Sequence, residues 1–181
     1  MVKIIGGKYR SRNIEIPPEG TVPTKSRTRE AIFSAIRNYL PGADCLDLFA
    51  GSGALGIEAV SRGAGSCLFV DYSPEAVATV KRNLASLKET QRVLRMDFKE
   101  ALSSIPPSSL DLVFIDPPYA RKEYYQQAID LLRDGNILKE DSAVVIEYDG
   151  ELKLDLSGFD WVREYKYGYS KVLIAKKGNA K

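Results

Sequence analysis

Between residues 44 and 146 the chain alternates short apolar runs with amphipathic stretches, and four successive runs end in, or are followed directly by, an aspartate: Asp47, Asp71, Asp97 and Asp116. The apolar runs read as strands, one of them spanning 110–115. The stretches between them carry inward residues at helical spacing, such as Val77, Val80, Leu84 and Leu87 behind Pro74, or Tyr125, Ile129 and Leu132. Strand and helix in strict turn imply a parallel sheet with right-handed crossovers and helices on both faces. After 143–146 the pattern changes. Residues 161–167 and 172–175 are apolar-rich with only Gly168 and its neighbours between them, which predicts a hairpin and an antiparallel strand at the end of the sheet.

Ahead of this core lies a shorter, basic segment. Residues 1–40 carry eight Lys/Arg against three Asp/Glu, whereas the remainder carries eighteen against twenty-one. Val2, Ile4, Tyr9, Ile14 and Ile16 alternate with polar residues up to Pro17-Pro18, so residues 1–20 are expected to form a β-hairpin appended to a domain of residues 21–181. Lys8, Arg10 and Arg12 are two apart and would share one face of its second strand. A cationic face of that kind suits phosphate contact, although a merely solvated surface fits the charge equally well. A helix follows in which Ser26 can serve as the cap and Ile32, Ala35, Ile36, Tyr39 and Leu40 face inward.

Composition removes several chemistries. The chain has no histidine, so a His-based triad or an imidazole base is excluded, and no metal role is expected. Cys45 and Cys67 sit inside apolar runs and should pack as small hydrophobes. No run approaches a membrane span and no apolar leader is visible, which points to the cytoplasm.

In open α/β sheets ligands bind beyond the carboxyl ends of the strands, so the four aspartates should line one crevice. A single aspartate there is most often a turn former or a helix cap; four in series beside a glycine loop are harder to dismiss. Gly51-Ser52-Gly53-Ala54-Leu55-Gly56 has the spacing of a nucleotide-binding turn, and Asp71 stands where a ribose-binding acid belongs. A pyrophosphate would be repelled by Asp47. S-adenosylmethionine, whose ammonium and sulfonium are cationic, reverses that preference. Asp47 would then stabilise the cation, the glycines would let the backbone approach the methionine part and ribose, Asp71 would accept from the ribose hydroxyls, and Asp97 with Phe98 would hold the adenine amine and ring face; Phe49, Ala50, Gly51, Ser52, Gly53 and Tyr72 complete the cofactor-binding candidates. Asp116 would lie at the reacting end.

Asp116-Pro117-Pro118-Tyr119 follows the apolar run 110–115. Two prolines fix the backbone and remove two N–H donors, leaving the Asp116 carboxylate and the Pro117 carbonyl as acceptors beside an aromatic ring. That set matches an exocyclic base amine, with Tyr119 stacking on the base for about 1–3 kcal/mol. Asp116, Pro117, Pro118 and Tyr119 are thus the catalytic candidates.

With these motifs the chain resembles the class I methyltransferases, and within them the RsmD-type 16S rRNA guanine-N2 methyltransferases. The resemblance rests on Ile4-Ile5-Gly6-Gly7-Lys8-Tyr9-Arg10-Ser11-Arg12, on Pro23-Thr24-Lys25-Ser26-Arg27-Thr28-Arg29-Glu30, on the loop from Asp47 to Gly56 and on Asp116-Pro117-Pro118-Tyr119. It implies a Rossmann-like, mostly parallel seven-stranded sheet with an antiparallel C-terminal strand. It implies further that S-adenosylmethionine is the cofactor and that 16S rRNA of the small ribosomal subunit is the partner of a monomeric enzyme. Thr24, Arg27 and Arg29 would then lie near the cofactor or RNA entrance, joining Lys8, Arg10 and Arg12 as RNA contacts. Val22 departs from the family's usual arginine. Three alternatives stay open on the residues alone: a DNA adenine-N6 methyltransferase, which also uses Asp-Pro-Pro-Tyr, a dinucleotide oxidoreductase, and a non-catalytic RNA-binding module.

Overall fold

The computed structural model describes residues 1–18, 26–118 and 120–178. Two short strands, β1 (Val2–Lys3) and β2 (Asn13–Ile14), open the chain, followed by α1 (Ser26–Ala35) and a 3-10 turn at Arg37–Tyr39. The alternation then runs β3 (Asp44–Asp47), α2 (Ala54–Ser61), β4 (Ser66–Asp71), α3 (Pro74–Ser86), β5 (Arg92–Arg95), α4 (Phe98–Ser104), β6 (Leu110–Ile115), α5 (Glu123–Asp134) and β7 (Leu138–Asp149). It closes with β8 (Trp161–Tyr167) and β9 (Ser170–Lys176).

Seven strands form one sheet in the order β5-β4-β3-β6-β7-β9-β8. β3 to β7 are mutually parallel, and β9 runs antiparallel between β7 and β8, as the closing hairpin of the sequence requires. β7 is longer than its apolar run because its second half pairs with β9 from Ala143–Lys176 to Asp149–Ser170. Both faces are covered. Phe33, Ile36, Ile57, Val60, Phe69, Phe114, Val145 and Ile174 meet on the side of α1, α2 and α3; Leu46, Val70, Val113, Ile115, Ile129, Leu132, Val144 and Ile146 meet on the other. Each such side chain contributes about 1.5–3 kcal/mol by leaving water. Cys45 and Cys67 are buried free thiols, and burial pushes the Cys45 thiol up to about 12.

α2 is pressed hard onto the sheet. A Cβ on Gly56 would stand 2.4 Å from Phe69 Cε1 and 2.8 Å from Cys67 Sγ, so this close approach requires glycine. Among the described residues no helix is long and apolar enough to cross a membrane.

The head differs from its expected form. Val2 pairs with Ile14 and Lys3 with Asn13, but Gly7–Tyr9 is a 3-10 turn and Ser11 takes a φ of 72°, so no long second strand exists. Lys8, Arg10 and Arg12 therefore do not share a strand face. The cause is docking: a Cβ on Gly7, whose φ is 73°, would fall 1.8 Å from the Ser61 carbonyl oxygen at the end of α2. Glu58 of α2 accepts hydrogen bonds from the Ile5 and Gly6 amides at 2.9 and 2.7 Å, and Ser61 Oγ accepts from the Tyr9 amide at 3.0 Å. The chain bends to satisfy α2 and cannot continue as a ribbon.

Candidate active site

The parallel register brings the strand ends to one rim. Asp47 closes β3 with 2% of its surface exposed, and its Oδ2 accepts the Gly56 amide at 2.9 Å. Burial, with a smaller push from Asp71, raises the Asp47 carboxyl to about 7 against the opposing Gly56 bond. The glycine turn runs over this carboxyl. Gly51 and Gly53 have φ values of 54° and 79°, conformations side chains rarely adopt, and Gly53 caps α2. Asp71 braces the same turn, with Oδ2 accepting from the Gly51 amide at 2.8 Å and Oδ1 from the Ser73 amide at 2.9 Å. Each carboxylate oxygen keeps a second lone pair, so both remain able to accept from a ribose hydroxyl.

Next along the rim, Tyr72 is 74% exposed beside Asp71, and Asp97 is the exposed cap of α4, accepting from the Lys99 amide at 2.8 Å. The cap reading of Asp97 and the ligand reading coexist, because a capping carboxylate has acceptor sites to spare. Phe98 is buried against Phe49 and Tyr124, with ring centroids 5.2 and 4.8 Å away. Phe49 and Phe98, both cofactor-binding candidates, thus belong to one aromatic cluster. Ser52 and Ala50 are buried in the turn, and the Ser52 carbonyl accepts from Asn83 Nδ2 at 2.9 Å.

Asp116 follows β6 directly and is half-buried. Alternation along the strands puts Asp47, Asp116 and Glu147 on the sheet face that carries Cys45, Phe114 and Val145. Ile115 pairs with Ile146, so Asp116 and Glu147 occupy the next position of the same register. The Asp116 carboxyl is held well above the ordinary range, first by burial and then by the neighbouring charges of Glu147, Asp47 and Asp149. Pro117 is buried, and Pro118 is exposed with its carbonyl accepting the Arg121 amide at 2.8 Å. The catalytic candidate Tyr119 and the RNA candidate Thr24 lie outside the described residues.

Arg29 is a correction. It was expected among exposed RNA contacts, yet its side chain is fully buried, because position 29 precedes the inward pair Ile32 and Phe33 by one helical turn. Its guanidinium donates to the Lys3 carbonyl at 2.8 Å, and burial lowers its pKa against the attraction of Glu58 and Glu147. Arg27 is exposed in the first turn of α1. Of the head cations, Lys8 is paired with Glu89 and Arg12 donates to the Ser86 carbonyl at 3.0 Å. Arg10 is exposed.

Three functional residues escaped the sequence reading. Glu147 carried the same signal as the other four acids, an acid directly after an apolar run, but stood in the fifth strand. Glu58 and Asn83 carried only a weak one, a polar side chain on an inward helical face. Asn83 accepts from the Glu15 amide at 2.7 Å while its Nδ2 reaches Ser52, so it fastens the head to the glycine turn.

The chain is similar to known proteins in sequence and fold. Ribosomal RNA small subunit methyltransferase D of Escherichia coli K12 is 33% identical over 162 residues, covering 88% of this chain and 81% of that protein. A solved conserved hypothetical protein of Streptococcus pyogenes superposes with a TM-score of 0.74 at 38% identity, covering 82% of this chain and 94% of its own. The fold alone is shared with a 16S rRNA N2 methyltransferase of Thermus thermophilus in complex with AdoMet and guanosine, which has a TM-score of 0.71 at 20% identity and covers 97% of this chain and 49% of its own. The profile of the family described as conserved hypothetical protein 95 matches residues 2–176, and the chain belongs to that family, whose RsmD-type methyltransferases its glycine turn and Asp-Pro-Pro-Tyr segment resemble.

Proposed function

We propose that this chain methylates the exocyclic N2 amine of a guanine in 16S ribosomal RNA, with Asp116 as the group that receives the amine. The observation that carries this reading is the row formed by Asp116 and Glu147 with Asp47 two positions behind it on the same sheet face, under a glycine turn in left-handed conformation. Such a row repels phosphate and attracts a cation. Asp47 and the backbone of residues 49–53 suit the methionine part of S-adenosylmethionine, Asp71 and Tyr72 its ribose, and Asp97 with Phe98 its adenine.

When bound, that donor supplies an electrophilic methyl on sulfur, which the amine nitrogen takes as the S–C bond breaks and one amine proton leaves. Asp116 accepts a hydrogen bond from the amine and so aims the nitrogen lone pair. Pro117 and Pro118 hold the carboxylate in place by restricting the backbone on either side. Tyr119 is proposed to stack on the base. The target base is stacked or paired in folded RNA, so it must be turned out of its stack into this pocket.

Residues 1–20, with Thr24 and Arg27, are proposed to meet flanking phosphates. The relatives' names support RNA of the small ribosomal subunit as the substrate, and we place the monomeric enzyme in the cytoplasm on an assembling subunit. Labelled methyl transfer to small subunits and to their naked RNA tests the reading, followed by mapping of the modified nucleotide. Asp116→Ala should abolish incorporation while leaving donor binding largely intact by calorimetry. Full activity in that variant would overturn the assignment.

A further inference from the structure

The last hairpin carries a column of side chains that the site described above does not use. On β8 the residues facing the Asp116 side of the sheet are Trp161, Arg163, Tyr165 and Tyr167, since these pair with Lys176, Ile174, Val172 and Ser170 of β9 and three of them pack on the core of that face. The Tyr165 and Tyr167 rings lie nearly parallel, 10° apart in plane, with centroids 6.4 Å apart. The Arg163 guanidinium stands 5.1 Å from the Tyr165 ring, and Lys176 Nζ 4.4 Å from that of Trp161. Tyr169, at the tip of the turn, is 88% exposed.

Register places this column beside the reacting end. Glu147 pairs with Val172, and Val172 with Tyr165, so Tyr165 lies in the same row as Asp116, three strands away. At the usual strand spacing that is roughly 14 Å. Two positions further toward the same rim, Asp149, Ser170 and Tyr167 form the next row on this face. The only acid on β8, Glu164, points to the opposite face, where Tyr148 donates to it and Lys171 pairs with it at 3.8 Å. The column toward Asp116 therefore presents aromatic faces and a cation and no carboxylate. Rings that served only to cover the core would need neither the exposed Arg163 nor the exposed Tyr169.

We infer that Arg163, Tyr165, Tyr167 and Tyr169 form a platform for single-stranded RNA on one side of the target nucleotide. Aromatic faces stack on unpaired bases of any sequence, and a guanidinium among them meets the backbone charge. The head docks toward the opposite end of the strand order, on Asn83 and Ser86 of α3 and on Glu89 beyond that helix. This inference rests on the RNA reading above and adds the surface that grips the strand.

The test measures binding of a fluorescent mixed-sequence 12-nucleotide single-stranded RNA, its duplex and small-subunit RNA to the full chain, with donor affinity recorded in parallel. Replacing both Tyr165 and Tyr167 by Leu keeps apolar cover and removes the stacking faces. It should weaken single-strand binding about tenfold or more, while the pair Tyr165→Phe and Tyr167→Phe keeps wild-type affinity. Arg163→Gln should lower the salt slope by about one. Donor affinity should hold in all three. Leu variants that fold, bind the donor and hold the 12-nucleotide strand as wild type does would overturn the platform alone. Leu variants that bind RNA normally but fail on intact subunits would overturn it in favour of a protein contact. A wild-type chain that binds no RNA would overturn the functional reading along with it.

Discussion

The acidic rim and the basic head look alike in the sequence, each a short series of like charges, yet the fold uses them in opposite ways. At the rim a buried Asp47 and a half-buried Asp116 share one sheet face with Glu147, an arrangement that costs stability and is relieved by a cationic ligand. In the head, Lys8 and Arg12 are turned back onto Glu89 and the Ser86 carbonyl, so two of three expected phosphate contacts also fasten the segment to the end of α3 and the residues just after it. Like charges that the fold crowds onto one face are the better mark of a binding site, and charge that the fold turns onto an opposite partner is first of all structural.

The sharpest way to break this contrast is at Asp116. Asp116→Asn keeps the shape and removes the charge, and should lower kcat by about 10²–10⁴-fold with donor affinity retained, as read by labelled methyl transfer and calorimetry. A smaller loss would mean that the crowding of carboxylates has no chemical purpose.

The head is next. Glu58 is fully buried and takes the Ile5 and Gly6 amides together with Arg62 Nε at 2.8 Å. Glu58→Ala leaves Arg62 and both amides without that partner, and should cost about 3–5 kcal/mol in denaturant unfolding, with new proteolytic cutting in the head. An unchanged midpoint would show that the head is not held by this charge.

The pH dependence follows from Asp47. Its folded pKa of about 7 lies above the ordinary carboxylate range, so the folded state binds the proton more tightly than the unfolded chain. The contribution is therefore fully present in acid and is lost as pH rises through about 7. Asp47→Asn, which can still accept the Gly56 amide, should flatten that fall and raise Tm above pH 7. The same raised pKa predicts proton release when the donor binds near pH 7, seen as binding enthalpies that differ between buffers.

The smallest expected effect separates the head cations. Arg10→Ala should reduce the salt slope of RNA binding by about one, whereas Lys8→Ala and Arg12→Ala should each reduce it by less, because their charges are partly used within the chain. Equal effects at all three would restore the picture of a uniform cationic face.

Much of this molecule was legible because the relevant signals are local. A strand followed by a glycine turn and a helix, repeated with an acid at each tip, places Asp47, Asp71, Asp97 and Asp116 at one edge wherever a parallel sheet forms, and the register does the rest. Arg29 and Glu147 were less legible. Arg29 lies on the inward face of α1 by its spacing from Ile32, but its type argues for water, and only the packing of α1 over β6, with Phe33 5.7 Å from Phe114, decides for burial.

What the chain's own order of residues determined is the alternation, the glycine turn and the row of acids, since backbone geometry and side-chain periodicity act over a few neighbours. What only the tertiary structure decided is what each charge meets. Glu58 takes the head, Glu89 takes Lys8, Glu164 turns away from the Tyr165 column, and Glu147 joins Asp116. Each pairing spans dozens of residues or crosses between elements, and long-range Coulomb and desolvation terms depend on distances that no local pattern contains.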